Sequence, residues 1–354
     1  MVDLDSVLNN PKIKDKNGVL WVRQARNLPQ VKTNILPNSC NRPWYGMNLD
    51  KQGLVYICHC DGWLPYPVGH ILDFESIDEI YHSPIAKEIQ QTITNGTYDY
   101  CDTEHCPVNT NREICITDGS TYRIEVGIDE SCNLACPSCR KETIFHDVND
   151  TYNEMLLWIT RLKEWISKSP DKKFDIYIGG NGEPFASPIY LNLLYNQFEY
   201  DNISYYIRTN GNLAKRHISE LKILPKLKII EISIDAASKE IYEKVRKPGR
   251  WNNLQENIDY LIEMKKIYSF HMVGNFVIQK ANLNDILPFI DWCDDREIQP
   301  HFSVLENWAS FENFDDECVH RNTDKLFTDF INIIKSDKFL STNTDWLKNY
   351  ENYF

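Results

Sequence analysis

A chain of 354 residues, 42% hydrophobic and 25% charged, has the make-up of a soluble globular protein with room for one large domain or two modest ones. Its formal net charge of −13 argues against a nucleic-acid-binding surface, which needs Lys and Arg gathered against phosphates. No run approaches the ~18 apolar residues of a membrane span. The opening MVDLDSVLNNPKIKDKNG has no apolar stretch behind a basic start, so no secretory signal is expected and the cytoplasm is the expected compartment.

Up to about residue 118 the chain is cysteine-rich and turn-rich, with one helical segment. That segment, SIDEIYHSPIAKEIQQTI (76–93), opens on a Ser-x-x-Glu capping box at Ser76 and Glu79. After the turn TDGS, short β-rich runs alternate with amphipathic helical stretches. The strands are expected at 122–128, 174–180, 203–211, 227–235, 271–279 and 301–307. Helices are expected at 152–167, 186–198, 213–222, 238–246, 253–267 and 282–292, the first with Leu156, Ile159, Leu162 and Ile166 on one stripe. Six strands alternating with helices imply an α/β fold with parallel pairing through right-handed crossovers. About 200 residues fall short of the ~250 of a full eight-stranded barrel, so a partial (β/α)6 TIM-like barrel is expected. The organisation is then a small cysteine-rich domain over 1–118, the barrel over 119–320 and a helical tail over 321–354.

Ligands of such a sheet bind at the carboxyl ends of its strands. Five unusual loops fall there: SCNLACPSCR (131–140), GGNGEP (179–184), TNG (209–211), SIDAAS (233–238) and IQKAN (278–282). The first places Cys132, Cys136 and Cys139 in a C-x3-C-x2-C spacing. Eleven cysteines without a signal peptide point to metal or redox chemistry and not to a disulfide framework. Thiolates suit zinc or iron–sulfur clusters. A structural zinc wants four protein ligands, whereas three cysteines fit three corners of a cubane and leave one iron open to a chelating small molecule. Zinc with a distant fourth ligand is the competing reading. Cys293 and Cys318 stand apart and are expected to be buried small hydrophobes.

CNLACPSC after a strand, followed by a Gly-Glu-Pro loop after the second strand, resembles the radical S-adenosylmethionine (radical SAM) superfamily over residues ~120 to ~310. The resemblance implies that Cys132, Cys136 and Cys139 hold a 4Fe–4S cluster whose open iron takes the amine and carboxylate of SAM. It maps the family's Gly-Gly-Glu loop onto Asn181, Gly182 and Glu183, preceded by Gly180, with Asn181 replacing a glycine. Small residues there let backbone approach the methionyl moiety, and a carboxylate accepts from its ammonium. Asn210, Ser233, Asp235 and Gln279 match positions that contact SAM's carboxylate or ribose. For each of the four, ordinary strand-end capping is the plain alternative. Ser138 stands where the family often has an aromatic, leaving adenine contact to Tyr177 or the FVIQ strand. The chemistry implied is reductive cleavage of SAM to a 5′-deoxyadenosyl radical that abstracts hydrogen from an unactivated C–H, fed by an external one-electron donor such as flavodoxin or ferredoxin. No catalytic acid or base is assigned.

The front cysteines, with CNRPWYGMNLDKQGLVYIC placing Cys40, Gly53 and Cys58 and with Cys101 and Cys106 closing the segment, look like the SPASM/twitch type of auxiliary-cluster module. That module usually follows the barrel; here it precedes it. The implied auxiliary 4Fe–4S ligands are Cys40, Cys58, Cys101 and Cys106, with Cys60 and Cys115 as reserves; a zinc ribbon from the same four is the rival. His59, His70 and His105 have no ligand spacing and are expected at the surface or behind the ligands. Modules of this type most often accompany modification of a peptide or protein residue, which is the favoured substrate. Oxidation, dehydration or epimerisation of a sugar or other small polar metabolite is the alternative, and a zinc-stabilised scaffold is the non-enzymatic one. RKPGRW (246–251) is expected to be a solvated loop joining two helices, with lining of the open mouth and binding of an anion as the alternative.

Overall fold

The computed structural model describes residues 37–59, 63–102, 106, 108, 114–116, 118–196, 200–306, 310–321 and 325–342. Cys60, His105 and the end of the tail lie outside the described residues. The described residues form two compact units, one drawn from 37–129, 147–181 and 200–204, the other from 130–146, 182–196 and 205–342. The fold is mixed α/β with a largely parallel sheet. No helix of the described residues is long and apolar enough to cross a membrane.

In the first unit, α1 (Arg42–Tyr45) leads into β1 (Gly46–Leu49), which pairs antiparallel with β2 (Leu54–Tyr56). β2 pairs antiparallel with β3 (Gly69–His70). On its other side β1 runs parallel to β4 (Thr121–Val126), and β4 parallel to β5 (Lys173–Ile178). The cysteine-rich segment thus contributes three strands that were not legible as strands in the sequence. The β1–β2 turn is built by Asp50, whose Oδ1 accepts from the backbone N–H groups of Gln52 and Leu54 at 2.9 Å each.

Gly53 completes that turn at φ +74, and a Cβ there would lie 2.4 Å from His70 Nε2 and 2.8 Å from Trp158 Cε2. Gly53→Ala is therefore expected to destabilise the fold by roughly 1–3 kcal/mol through left-handed strain and overpacking. The check is a lowered urea midpoint at unchanged m-value. An unmoved midpoint would contradict it.

The expected single helix at 76–93 is two, α2 (Ile77–His82) and α3 (Pro84–Thr94). Pro84 cannot donate to the preceding turn, and Ser83 restarts the helix by accepting from Ala86 N at 3.3 Å. Ser76 caps α2 by accepting from Glu79 N (3.3 Å), but the Glu79 carboxylate reaches Glu75 N (2.8 Å), one residue beyond a reciprocal box. The long helix α4 (Asp150–Ser167) buries Met155, Trp158, Ile159, Leu162, Trp165 and Ile166. Leu156 sits at the margin of that stripe, displaced by the two larger tryptophans.

In the second unit, β6 (Ile203–Thr209, grouped here from Tyr205), β7 (Leu227–Ser233), β8 (His271–Ile278) and β9 (Gln299–Val304) pair parallel in that order. The intervening helices are α5 (Pro188–Tyr195), α6 (Ala214–His217), α7 (Lys239–Val245), α8 (Trp251–Tyr268) and α9 (Ile286–Asp294), with α10 (Phe327–Ile334) and α11 (Asp337–Leu340) after β9. Alternation sends Ile207, Ile230, Ile232, Phe276 and Phe302 into the core, where Cys293 and Cys318 are also fully buried. The strand ends, free of helix packing, carry the polar loops.

Candidate functional site

The cysteine loop belongs to the second unit. Cys132 is pinned by a reciprocal backbone pair with Ile144 (2.7 and 3.2 Å), and Cys136 O accepts from the N–H groups of Cys139 (2.8 Å) and Arg140 (3.0 Å). These bonds fold the segment into a tight turn that bears three thiols. Cys136 is buried, Cys132 partly so, and Cys139 is exposed. Burial pushes the Cys132 thiol up to about 11, outweighing the N–H of Leu134 that donates to its sulfur at 3.4 Å. Such a thiol ionises when a metal supplies the opposing charge, so the donor set fits a cluster.

Glu183 is 1% exposed and its backbone N–H donates to Ser131 O at 2.7 Å, locking the Gly-Glu-Pro loop to the cysteine loop. Its carboxylate accepts from Thr209 Oγ1 (2.7 Å), Asn210 N (2.6 Å) and Phe185 N (3.1 Å). Burial still pushes it up to about 7. Asn210 donates through Nδ2 to Asn133 Oδ1 (2.9 Å) and approaches Cys132 Sγ at 3.8 Å. Asp235, at φ +58, accepts from Val277 N (2.7 Å) and pairs with Arg246 at 2.7 Å. The Gln279 amide is buried, and its Nε2 has no hydrogen-bond partner among the described residues. A buried donor left without an acceptor is costly, and a bound polar molecule would satisfy it. Ser233 ends β7 in register with Asn275.

Arg246 corrects the expectation of a wholly solvated loop at 246–251. Its side chain is 12% exposed and lies against Asp235 and Cys136. Burial opposes its charge, but Asp235 and the Cys136 sulfur outweigh that and lift its pKa above the ordinary value. The basic run disguised it; the signal was the carboxylate of Asp235 at a strand end, which needed a cation.

Gly180, Asn181 and Tyr177 belong to the first unit. Gly179 and Gly180 have φ +108 and +121, as close backbone approach at a strand end requires. The Asn181 side chain turns back to donate to Gly127 O at 2.7 Å. Tyr177, a candidate for adenine contact, has one ring face covered by the Arg123 guanidinium at 3.8 Å. His59 bonds to Glu125 (2.7 Å) and Arg123 (3.2 Å), and burial pushes it down to about 4. His70 is not at the surface: it is 7% exposed, accepts from Leu72 N and packs edge-on against Trp158.

Also in the first unit, Cys40, Cys58, Cys101, Cys106 and Cys115 line one small cavity with Arg42, Trp63 and Tyr98. Cys115, a reserve in the sequence, is brought beside Cys40 by a parallel backbone bridge. Burial, reinforced by the neighbouring thiols, pushes Cys40 up to about 12 and also raises Cys101 well above the ordinary thiol value. Five thiols around one chamber repel as thiolates, and bound metal removes that repulsion. Arg42 stacks over Trp63 at 4.9 Å.

Family profiles match both halves of this arrangement. The profile of the radical SAM superfamily matches residues 128–293, and the SPASM profile, an iron–sulfur cluster-binding domain, matches residues 40–107. Among solved structures, SuiB of Streptococcus suis is similar at 14% identity over 73% of this chain and 54% of its own, with a TM-score of 0.43. AdoMet-bound anSMEcpe is similar at 17% identity over 66% and 60% of the two chains (TM-score 0.41). A radical SAM methyltransferase from Sphaerobacter thermophilus is similar at 12% over 53% and 57% (TM-score 0.35). The chain spans about half the length of SuiB. No curated protein matches. In this order the two matches give the chain a SPASM domain over residues 40–107 ahead of a radical SAM domain over 128–293, domains whose cofactors are 4Fe–4S clusters and S-adenosylmethionine.

Proposed function

We propose that the protein is a radical SAM enzyme that modifies a peptide or protein residue. The observation that carries the proposal is the gathering, within one compact unit, of the three-thiol loop, the buried Glu183 and the unpartnered Gln279 amide. Cys132, Cys136 and Cys139 would hold the cluster that binds SAM. When bound, the cluster and SAM supply a 5′-deoxyadenosyl radical able to take hydrogen from an unactivated C–H. Glu183 would accept from the amine of SAM, and Asn210, Ser233, Asp235 and Gln279 would orient its carboxylate and ribose. Gly182 would keep side chains out of its path. Cys40, Cys58, Cys101 and Cys106 would hold the auxiliary 4Fe–4S cluster, with Cys115 as a fifth thiol on the same cavity. Residues 1–118 are assigned to that domain, 119–320 to the barrel and 321–354 to the tail.

The SPASM domain supports the peptide reading, since such modules most often accompany peptide modification. The test uses deuterium transfer. Extracts of cells grown in heavy water are divided by size into a peptide and protein fraction and a small-metabolite fraction. Each is incubated anaerobically with protein, SAM and dithionite. Deuterium is expected in 5′-deoxyadenosine only with the first fraction; label arriving only from the second would replace the peptide reading with the metabolite one.

A further inference from the structure

We propose that Arg246 is a positioning residue that donates to the Cys136 sulfur and raises the reduction potential of the cluster held there, while Asp235 acts against it. The inference rests on the reading of Cys136 as a cluster ligand.

The Arg246 guanidinium is divided between two partners. Nη2 lies 2.7 Å from Asp235 Oδ2, and Nη1 lies 3.7 Å from Cys136 Sγ. Nε has no hydrogen-bond partner among the described residues. Burying a guanidinium is costly unless its charge is matched and its N–H groups are used. Asp235 matches the charge, and what remains of the fork faces sulfur. Both ends of the arrangement are fixed. Asp235 is 1% exposed and held by Val277 N at Oδ1 and by the Asn282 side chain at its carbonyl (2.9 Å). The residue after Arg246 is tied directly to the cysteine loop, with Ala135 N donating to Lys247 O at 2.6 Å. Neither the guanidinium nor the sulfur can drift without breaking these bonds.

Reduction adds one electron, taken from an external one-electron donor, and no proton, so the cluster and its sulfurs gain one negative charge. A cation and an N–H donor beside one sulfur stabilise that product more than the oxidised form, which raises the potential. The Asp235 carboxylate has the opposite effect. A pair that only braced the fold would not produce shifts of opposite sign when its members are neutralised one at a time.

The experiment is an EPR-monitored redox titration of anaerobically reconstituted full-length protein without SAM. The relevant signal is the one missing from a Cys132→Ala/Cys136→Ala/Cys139→Ala triple variant. Arg246→Gln is expected to lower the reduced-to-oxidised ratio at a given solution potential about tenfold, which is about 59 mV for a one-electron couple. Asp235→Asn should move it the other way, and Arg246→Lys should fall between wild type and Arg246→Gln. Shifts in the same direction, or none with iron retained, overturn the proposal. If Arg246→Gln does not retain iron, Asp235→Asn decides: an upward shift upholds the proposal and an unmoved one ends it. A wild-type signal unaffected by the triple variant would instead sink the ligand reading beneath it.

Discussion

Replacement of Cys139 by Ala is expected to reduce 5′-deoxyadenosine formation under dithionite to background and to lower iron from roughly eight to roughly four per chain. Its thiol is the most exposed of the three and sits beside Arg140, whose Nε donates to its sulfur at 3.5 Å. Removing it leaves two ligands on a loop whose backbone is otherwise fixed by Ile144 and Cys136. Cys58→Ala serves as the contrast. It should also lose roughly four irons, but from the cavity shared with Cys40, Cys101, Cys106 and Cys115, so the EPR signal perturbed by SAM persists. Undiminished 5′-deoxyadenosine from the Cys139 variant would refute its role as a ligand. Zinc in place of iron in anaerobically purified protein would instead favour the scaffold alternative.

The contrast between these two centres also separates what the sequence discloses from what it hides. Six strands could be placed because each is a β-rich run of six or more residues set between helical stretches, and all lie where expected to within a few residues. β1, β2 and β3 span four, three and two residues, too few to register a period, and Asp50 and Gly53 mark a turn without saying that its flanks pair. The soft ligands were visible because cysteine is rare and its spacing is chemical. Arg246 was not, because a buried guanidinium is indistinguishable in sequence from a solvated one until Asp235 is placed against it. Cys115 likewise needed the backbone bridge to Cys40 before its membership of the cavity could be seen. Asn181 stood where a glycine was expected, and only the coordinates reveal that its amide is spent on Gly127.

Glu183 should make both stability and SAM affinity depend on pH across neutrality. Burial pushes its carboxyl from the ordinary 4.5 up to about 7, against the opposing donation from Asn210 N, Thr209 Oγ1 and Phe185 N. Between those two values the folded protein binds more protons than the unfolded chain, so the stability of SAM-free protein falls as pH rises from about 4.5 to about 7. The full swing from this group is roughly 3 kcal/mol at most. SAM has the reverse dependence, because the N–H groups of its amine donate best to the ionised carboxylate. From pH 6 to 7.5 the ionised fraction, and with it SAM affinity, is expected to rise roughly eightfold. Glu183→Gln should flatten both curves and weaken SAM binding at pH 7.5, since a neutral amide is a poorer acceptor for the amine N–H groups and its NH2 would face Asn210 N or Thr209. Equilibrium unfolding and SAM binding, each followed across pH 5.5 to 7.5 in wild type and variant, provide the measurement. A variant that keeps the wild-type slopes would show that another group titrates. Wild-type affinity independent of pH would show that the SAM amine does not meet this carboxylate.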